Sequence, residues 1–285
     1  MAWQTQPAMA ALLALISSLT WGSADFLGGI ASRRVGALRV LTVSYPAGVV
    51  VLVPIALWIL PGELSSGVVW WAVVGGVIGA IAMVLLYGAL ARGPMGIVSP
   101  LTAVMSAAIP VAVGLALGES LGWIAFVGMA LAAIAVILVS RERGEHLRAS
   151  PLALGLALGS GVAIGLYLTV LGLAPADSGI WTATIARAVS SAVVVGAAVI
   201  LLRPRTTSSF PWLLALVAGS LDALANGVFQ LAAQRGDLAV VAVIGSLYPA
   251  ATVILARLVL GERMSRIQAT GVGLALAAAA ALSLG

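Results

Sequence analysis

Asp222, Asn226 and Gln230 stand four residues apart in an otherwise apolar stretch, so a helix there carries all three on one face. Arg187 lies inside the preceding apolar stretch with Thr184 and Ser191 at helical spacing around it, and Asp25 lies inside the first stretch with Trp21 and Ser18 on its face. Such groups do two kinds of chemistry. A carboxylate with a guanidinium forms an ion pair that can hold a charged solute, and a carboxylate beside an aromatic ring can hold a cation by ion pairing and cation–π attraction. Charges within long apolar runs are costly enough that they face water or a partner. A fourth, Arg257, falls within a turn of the end of its run and reads as a side chain reaching to a polar boundary.

The elements that must position these groups are set by composition. Of 285 residues, 62% are hydrophobic and 8% charged, too few polar groups to coat a water-soluble domain of this size. The chain therefore reads as an integral membrane protein of the all-α class. About 20 apolar residues span the hydrocarbon as a helix. Ten such runs are present: 8–31, 37–60, 67–91, 95–117, 121–140, 151–174, 179–202, 211–233, 238–260 and 266–284. Residues 1–7 lack a positive leader region, so the first run reads as a retained span.

Absences narrow the chemistry further. The sequence has no lysine, which removes a phosphate-loop lysine and a Schiff base, and no cysteine, which removes thiolate nucleophiles and disulfides. Its one histidine, His146, sits in a charged loop and supports no metal site; no cofactor is implied. The net charge of +5 comes from arginines in short loops, where membrane orientation explains it better than nucleic acid. Eleven arginines fall in loops on one side of the ten runs and Arg235 alone on the other, a bias that puts both termini outside.

The two halves overlay without a gap at an offset of 143 residues: Arg92-Gly93 falls on Arg235-Gly236, Leu117-Gly118-Glu119 on Leu260-Gly261-Glu262, and Gly128 on Gly271. The organisation read from this is a five-helix repeat over 1–140, a charged loop over 141–150 and a second five-helix repeat over 151–285. Five is odd, so the repeats are expected to be inverted relative to one another. Gly75/Gly79, Gly155/Gly159 and Gly161/Gly165 form Gly-x-x-x-Gly pairs suited to close helix contact. Pro46, Pro54, Pro100, Pro110 and Pro249 fall inside spans, and the fourth and ninth are expected to bend at similar depth. In the Leu-Gly-Glu motif, glycine ends one helix and glutamate caps the next.

At about 1.5 Å rise per residue, Arg187 lies roughly 12 Å and Asp222 roughly 17 Å from the same membrane side, a difference an arginine side chain spans. Asp25 lies roughly 24 Å from it and is a poorer partner for Arg187. Ser99, Thr102 and Ser106 add a polar stripe, and Tyr87, Tyr167 and Tyr248 add amphipathic rings.

The duplicated ten-span pattern, the two Leu-Gly-Glu motifs with their following glycines, Tyr248-Pro249, and Leu19-Thr20-Trp21-Gly22-Ser23 together resemble the drug/metabolite transporter superfamily in its EamA-type branch. The resemblance spans essentially the whole chain. It implies a bundle in the inner (cytoplasmic) cell membrane in which helices 1 to 4 and 6 to 9 surround a central cavity while 5 and 10 brace the outside. It also implies both termini in the cytoplasm, against the arginine bias, and alternating access, often exporting, for a small metabolite. The resulting expectation is a secondary transporter of an amino acid, amine, drug-like cation or related solute. Its substrate-binding candidates are Trp21, Asp25, Tyr87, Arg187, Asp222, Asn226 and Gln230. Membrane lipid is the surrounding partner, a proton the candidate coupling ion, and the assembly a monomer or weak homodimer. Two other readings compete: an intramembrane aspartyl enzyme, which needs Asp25 and Asp222 to meet despite a depth difference of roughly 8 Å, and a passive channel or scaffold.

Overall fold

In hydrocarbon no water satisfies a free backbone N–H or C=O, so a chain this apolar is confined to helices or closed barrels. The computed structural model describes residues 7–93, 95–139, 150–202, 210–260 and 265–284, and there the chain is helical. Among the described residues, seven helices are long and apolar enough to cross a membrane. They are α1 (Pro7–Val35), α2 (Ala37–Pro54, continued by a π-helical turn Ile55–Ile59), α3 (Ser66–Arg92), α4 (Met95–Ala116), α6 (Pro151–Leu173), α7 (Trp181–Leu201) and α8 (Trp212–Ala233). Four further helices are α5 (Trp123–Val139), α9 (Leu238–Gly245), α10 (Tyr248–Leu260) and α11 (Arg266–Leu284). Trp58, Trp70, Trp123 and Trp212 are exposed near helix ends, where an indole sits well at a membrane–water boundary. The chain is a multi-pass integral membrane protein.

One expected span is corrected. The run 238–260 is two helices, α9 and α10, with Ser246 and Leu247 between them. Pro249 has no N–H to give the Gly245 carbonyl. The ladder re-registers instead: Ser246 N–H donates to Ala242 O at 2.9 Å, Leu247 N–H to Ile244 O at 3.2 Å and Ala250 N–H to Leu247 O at 3.0 Å. The fourth span, α4, carries Pro100 and Pro110 yet runs through unbroken, so the interruption belongs to the second half of the sequence alone.

Helix α1 lies along α8 and α10, α3 along α6 and α7, α2 along α7 and α8, α4 along α6 and α9, and α5 along α11. Exchanging α1 with α6, α2 with α7, α3 with α8, α4 with α9–α10 and α5 with α11 returns the same set of neighbours. Glycines set how closely these pairs approach. A Cβ on Gly161 would sit 2.5 Å from Met105 Cβ and 2.9 Å from Thr102 O, and one on Gly165 would sit 2.9 Å from Ile109 Cβ. Gly75 meets Val170 in the same way at 2.9 Å, whereas Gly155 has nothing within 4 Å. Of the three Gly-x-x-x-Gly pairs, Gly161/Gly165 and Gly75/Gly79 are therefore contact surfaces and Gly155 is not.

Glu119 corrects a second expectation. Its carboxylate accepts the N–H groups of Leu238 at 2.8 Å and Ala239 at 3.1 Å. It thus caps α9, a helix of the other half, and not α5, which follows it in sequence. A carboxylate on two free N–H groups at a helix N-terminus gains both hydrogen bonds and the helix dipole. Its counterpart Glu262 lies outside the described residues, as do His146 and the loop 140–149.

Substituting Gly161→Leu is expected to destabilise the protein by about 1–3 kcal/mol by forcing α4 from α6. Gly155→Ala is expected to be neutral or to stabilise by about 0.5–1 kcal/mol through helix propensity. Thermal unfolding in detergent checks both, and equal effects at the two glycines would contradict this packing.

Candidate functional site

Helices α1, α2, α3, α4, α6, α7 and α8 converge with the α9–α10 break on a cavity. Among the described residues, α5 and α11 contribute nothing to its wall. The charged groups on the wall are Asp25, Arg187 and Asp222.

Arg187 is buried at 4% exposure, and its Nη2 donates to Asp222 Oδ2, joining α7 to α8. The guanidinium lies 4.4 Å above the Tyr45 ring centroid, a cation–π contact. Tyr45 is fixed in turn, its hydroxyl donating to Gly79 O at 3.0 Å. Room for the arginine stem comes from Gly48, where a Cβ would lie 3.2 Å from Arg187 Cδ and 2.8 Å from Ala223 Cβ. Arg187 Nε is buried without an acceptor, so this arginine keeps an unmade hydrogen bond inside the protein.

Asn226, one turn below Asp222, donates from Nδ2 to the Asp222 backbone carbonyl at 2.6 Å and lines the cavity. Ser190 on α7 lines it too, its hydroxyl donating to Gly76 O at 2.6 Å and tying α7 to α3. Helix α1, packed along α8, brings Trp21 and Asp25, one turn apart. Trp21 packs at 5.4 Å, centroid to centroid, on Phe229 of α8. Helix α1 is held against α10 by Gly22, where a Cβ would meet Ala251 Cβ at 2.6 Å, and by Thr252 Oγ1 donating to Gly22 O at 3.1 Å.

The broken helix completes the wall. Gly245, Ser246 and Tyr248 all border the cavity, with the Tyr248 hydroxyl donating to Ser99 O at 3.3 Å. A backbone interruption at membrane depth is tolerated where it is buried in protein or borders a cavity, and this one does the latter.

The sequence-predicted residues divide cleanly. Trp21, Asp25, Arg187, Asp222 and Asn226 meet on the wall, and the Arg187–Asp222 pair that the depth arithmetic allowed is formed. Tyr87 and Gln230 are placed elsewhere. Tyr87 is 1% exposed with its ring in the notch left by Gly28 of α1, and Gln230, wholly buried, accepts the Ala183 N–H at 2.8 Å and donates to Ser178 Oγ at 2.9 Å. On α8 the stripe thus changes work along its length: Asp222 and Asn226 face the cavity while Gln230 ties α8 to the start of α7. Of the wall residues the sequence reading did not select, Tyr167 and Tyr248 had been noted only as amphipathic rings. Tyr45 had no signal beyond a mid-span tyrosine before Pro46. No group of three or more His, Cys, Asp or Glu side chains gathers among the described residues.

A family model described as the EamA-like transporter family matches residues 8–141 and again 151–284. A solved crystal structure, 18% identical, is similar over 96% of this chain and 96% of its own with a TM-score of 0.75, which shows a shared fold. No curated protein matches the sequence.

Replacing Gln230 with leucine is expected to lower stability by about 1–3 kcal/mol, because the Ala183 N–H loses its acceptor inside the protein. Ligand affinity of the folded variant should be unchanged. Thermal unfolding with and without a bound solute separates the two, and a weakened ligand with an intact unfolding midpoint would return Gln230 to the cavity.

Proposed function

The chain belongs to the EamA-like transporter family, and on that premise we propose that it is a secondary-active carrier. It moves a small polar or amphipathic metabolite by alternating access around the cavity between its halves. The observation that carries this reading is the cavity bordered by a buried ion pair and by an interrupted helix. Carriers place substrate at such midplane sites, where broken helices offer backbone polar groups and a point of flexure.

The mirrored neighbour set supports two inverted five-helix repeats. Each side of the cavity is then built from both halves: α1 meets α8 and α10, and α6 meets α3 and α4. Rocking one half against the other exposes the same groups to either side in turn. In this scheme Asp222 and Arg187 are the charge pair at the site, with Trp21 and Asn226 as contacts. The unmade Arg187 Nε hydrogen bond and the adjustable Ser246–Leu247 link are where a substrate acceptor and a conformational change would act.

The aspartyl-enzyme reading is weaker on the same geometry. Asp25 and Asp222 do share the cavity, but an aspartyl dyad requires two carboxylates sharing one proton. Asp222 is engaged by Arg187 instead. A channel is distinguished by kinetics, since a carrier saturates and shows counterflow.

In proteoliposomes, Asp222→Leu is expected to reduce counterflow of a transported solute by about tenfold or more, equivalent to about 1.4 kcal/mol. The single change also strands Arg187, at a cost of about 3–5 kcal/mol, whereas replacing both partners is close to neutral. The double variant Asp222→Leu with Arg187→Leu should therefore recover the unfolding midpoint but not transport. Transport at parental rates by either variant would remove the pair from the site.

A further inference from the structure

We propose that the cavity is built to take one positive charge, and that Asp25 is the residue that selects it: the bound solute is an organic monocation whose ammonium sits on the Asp25 carboxylate. The inference rests on the carrier reading of the same cavity and adds the charge class of its substrate.

Among the described residues, three charged side chains border the cavity. Arg187 and Asp222 close on one another, so their charges cancel within the wall. Asp25 is left: it is 8% exposed, and no cationic side chain lies within ion-pair distance of it among the described residues. An ionised carboxylate in a low-dielectric interior is strongly disfavoured unless paired. Arg187, the cationic side chain that borders the cavity among the described residues, is already held by Asp222 and by the Tyr45 ring. An ionised Asp25 therefore takes its partner from outside, and a solute carrying one positive charge supplies it.

The surroundings of Asp25 suit an organic cation better than a bare metal ion. Trp21 stands one turn away on the same face of α1, and Tyr248 borders the same cavity. Aromatic faces beside a carboxylate attract an ammonium by ion pairing and cation–π contact together. Binding of a metal ion needs several oxygen ligands instead, and no cluster of three His, Cys, Asp or Glu side chains forms among the described residues. An anionic solute placed beside an ionised Asp25 would meet like charge.

Three probes of like shape and different charge test this on the full chain in detergent: phenethylammonium, 2-phenylethanol and phenylacetate, measured by calorimetry. The parent is expected to bind phenethylammonium about tenfold or more tightly than the alcohol, and the carboxylate least. That preference should vanish in Asp25→Asn, which keeps the shape of the side chain, and persist in Asp25→Glu, which keeps its charge. Equal binding of ammonium and alcohol by the parent overturns the proposal without recourse to any variant. So does a preference retained in folded Asp25→Asn, and so does failure of the parent to bind phenethylammonium at millimolar concentration. Counterflow of the same probe in liposomes separates this from the carrier reading. Charge-selective binding without counterflow upholds the cation site and removes transport; counterflow that treats ammonium and alcohol alike upholds transport and removes the cation site.

Discussion

The Arg187–Asp222 ion pair is the constraint around which the bundle is arranged. Two opposite charges within lipid-embedded helices cannot be left apart, because each alone carries an uncompensated desolvation cost of several kcal/mol. Once they must meet, α7 and α8 are fixed in rotation about their axes, and with them Ser190, Asn226 and Gln230. Helix α2 is drawn in as well. Its Tyr45 ring covers the guanidinium, and its Gly48 gives way to the arginine stem. Polar pairing thus supplies the specificity that hydrophobic burial cannot supply among helices already surrounded by hydrocarbon.

The remaining adhesion comes from close approach and from side-chain hydroxyls bonding across helices. Ser17 Oγ donates to Ala225 O at 2.8 Å, joining α1 to α8, and Ser160 Oγ donates to Ala82 O at 3.0 Å, joining α6 to α3. These two serines are 143 residues apart, and so are their helices in the mirrored packing scheme. Glycine notches do the rest, admitting a neighbouring backbone or, at Gly28, a whole tyrosine ring. The Arg187–Asp222 pair is buried in this packing, where an electrostatic contact counts for more than in water.

Against this rigid frame the α9–α10 junction stands out. Helix α9 is eight residues long, clamped at its start by Glu119 and ended at the cavity by the ladder shift before Pro249. A short segment held at one end by a carboxylate from the other half and at the other end by a break is mechanically distinct from the continuous α4. The two halves therefore share a packing scheme but not helix continuity, and the asymmetry lies at the cavity wall.

The sequence by itself determined the class of structure, because long apolar runs with so few charges leave no other fold available than membrane helices, and the 143-residue offset is visible residue by residue. It also determined the central pair. A buried arginine and a buried aspartate at comparable depth have little choice of partner. What it did not determine was direction and continuity. Tyr87 and Gln230 looked like cavity residues, but the notch at Gly28 and the N–H of Ala183 claim them, and those partners come from other helices. Tyr45 carries no charge and no periodic signal, so its place over Arg187 exists only once α2 is packed. The run 238–260 is apolar throughout, so hydropathy could not see its interruption; that followed from which carbonyls find donors around Pro249. Glu119 lies next to α5 in sequence and reaches α9 in space. Length and polarity along the chain are local quantities, whereas the facing of a side chain and the partner of a free N–H are settled only when neighbouring helices arrive.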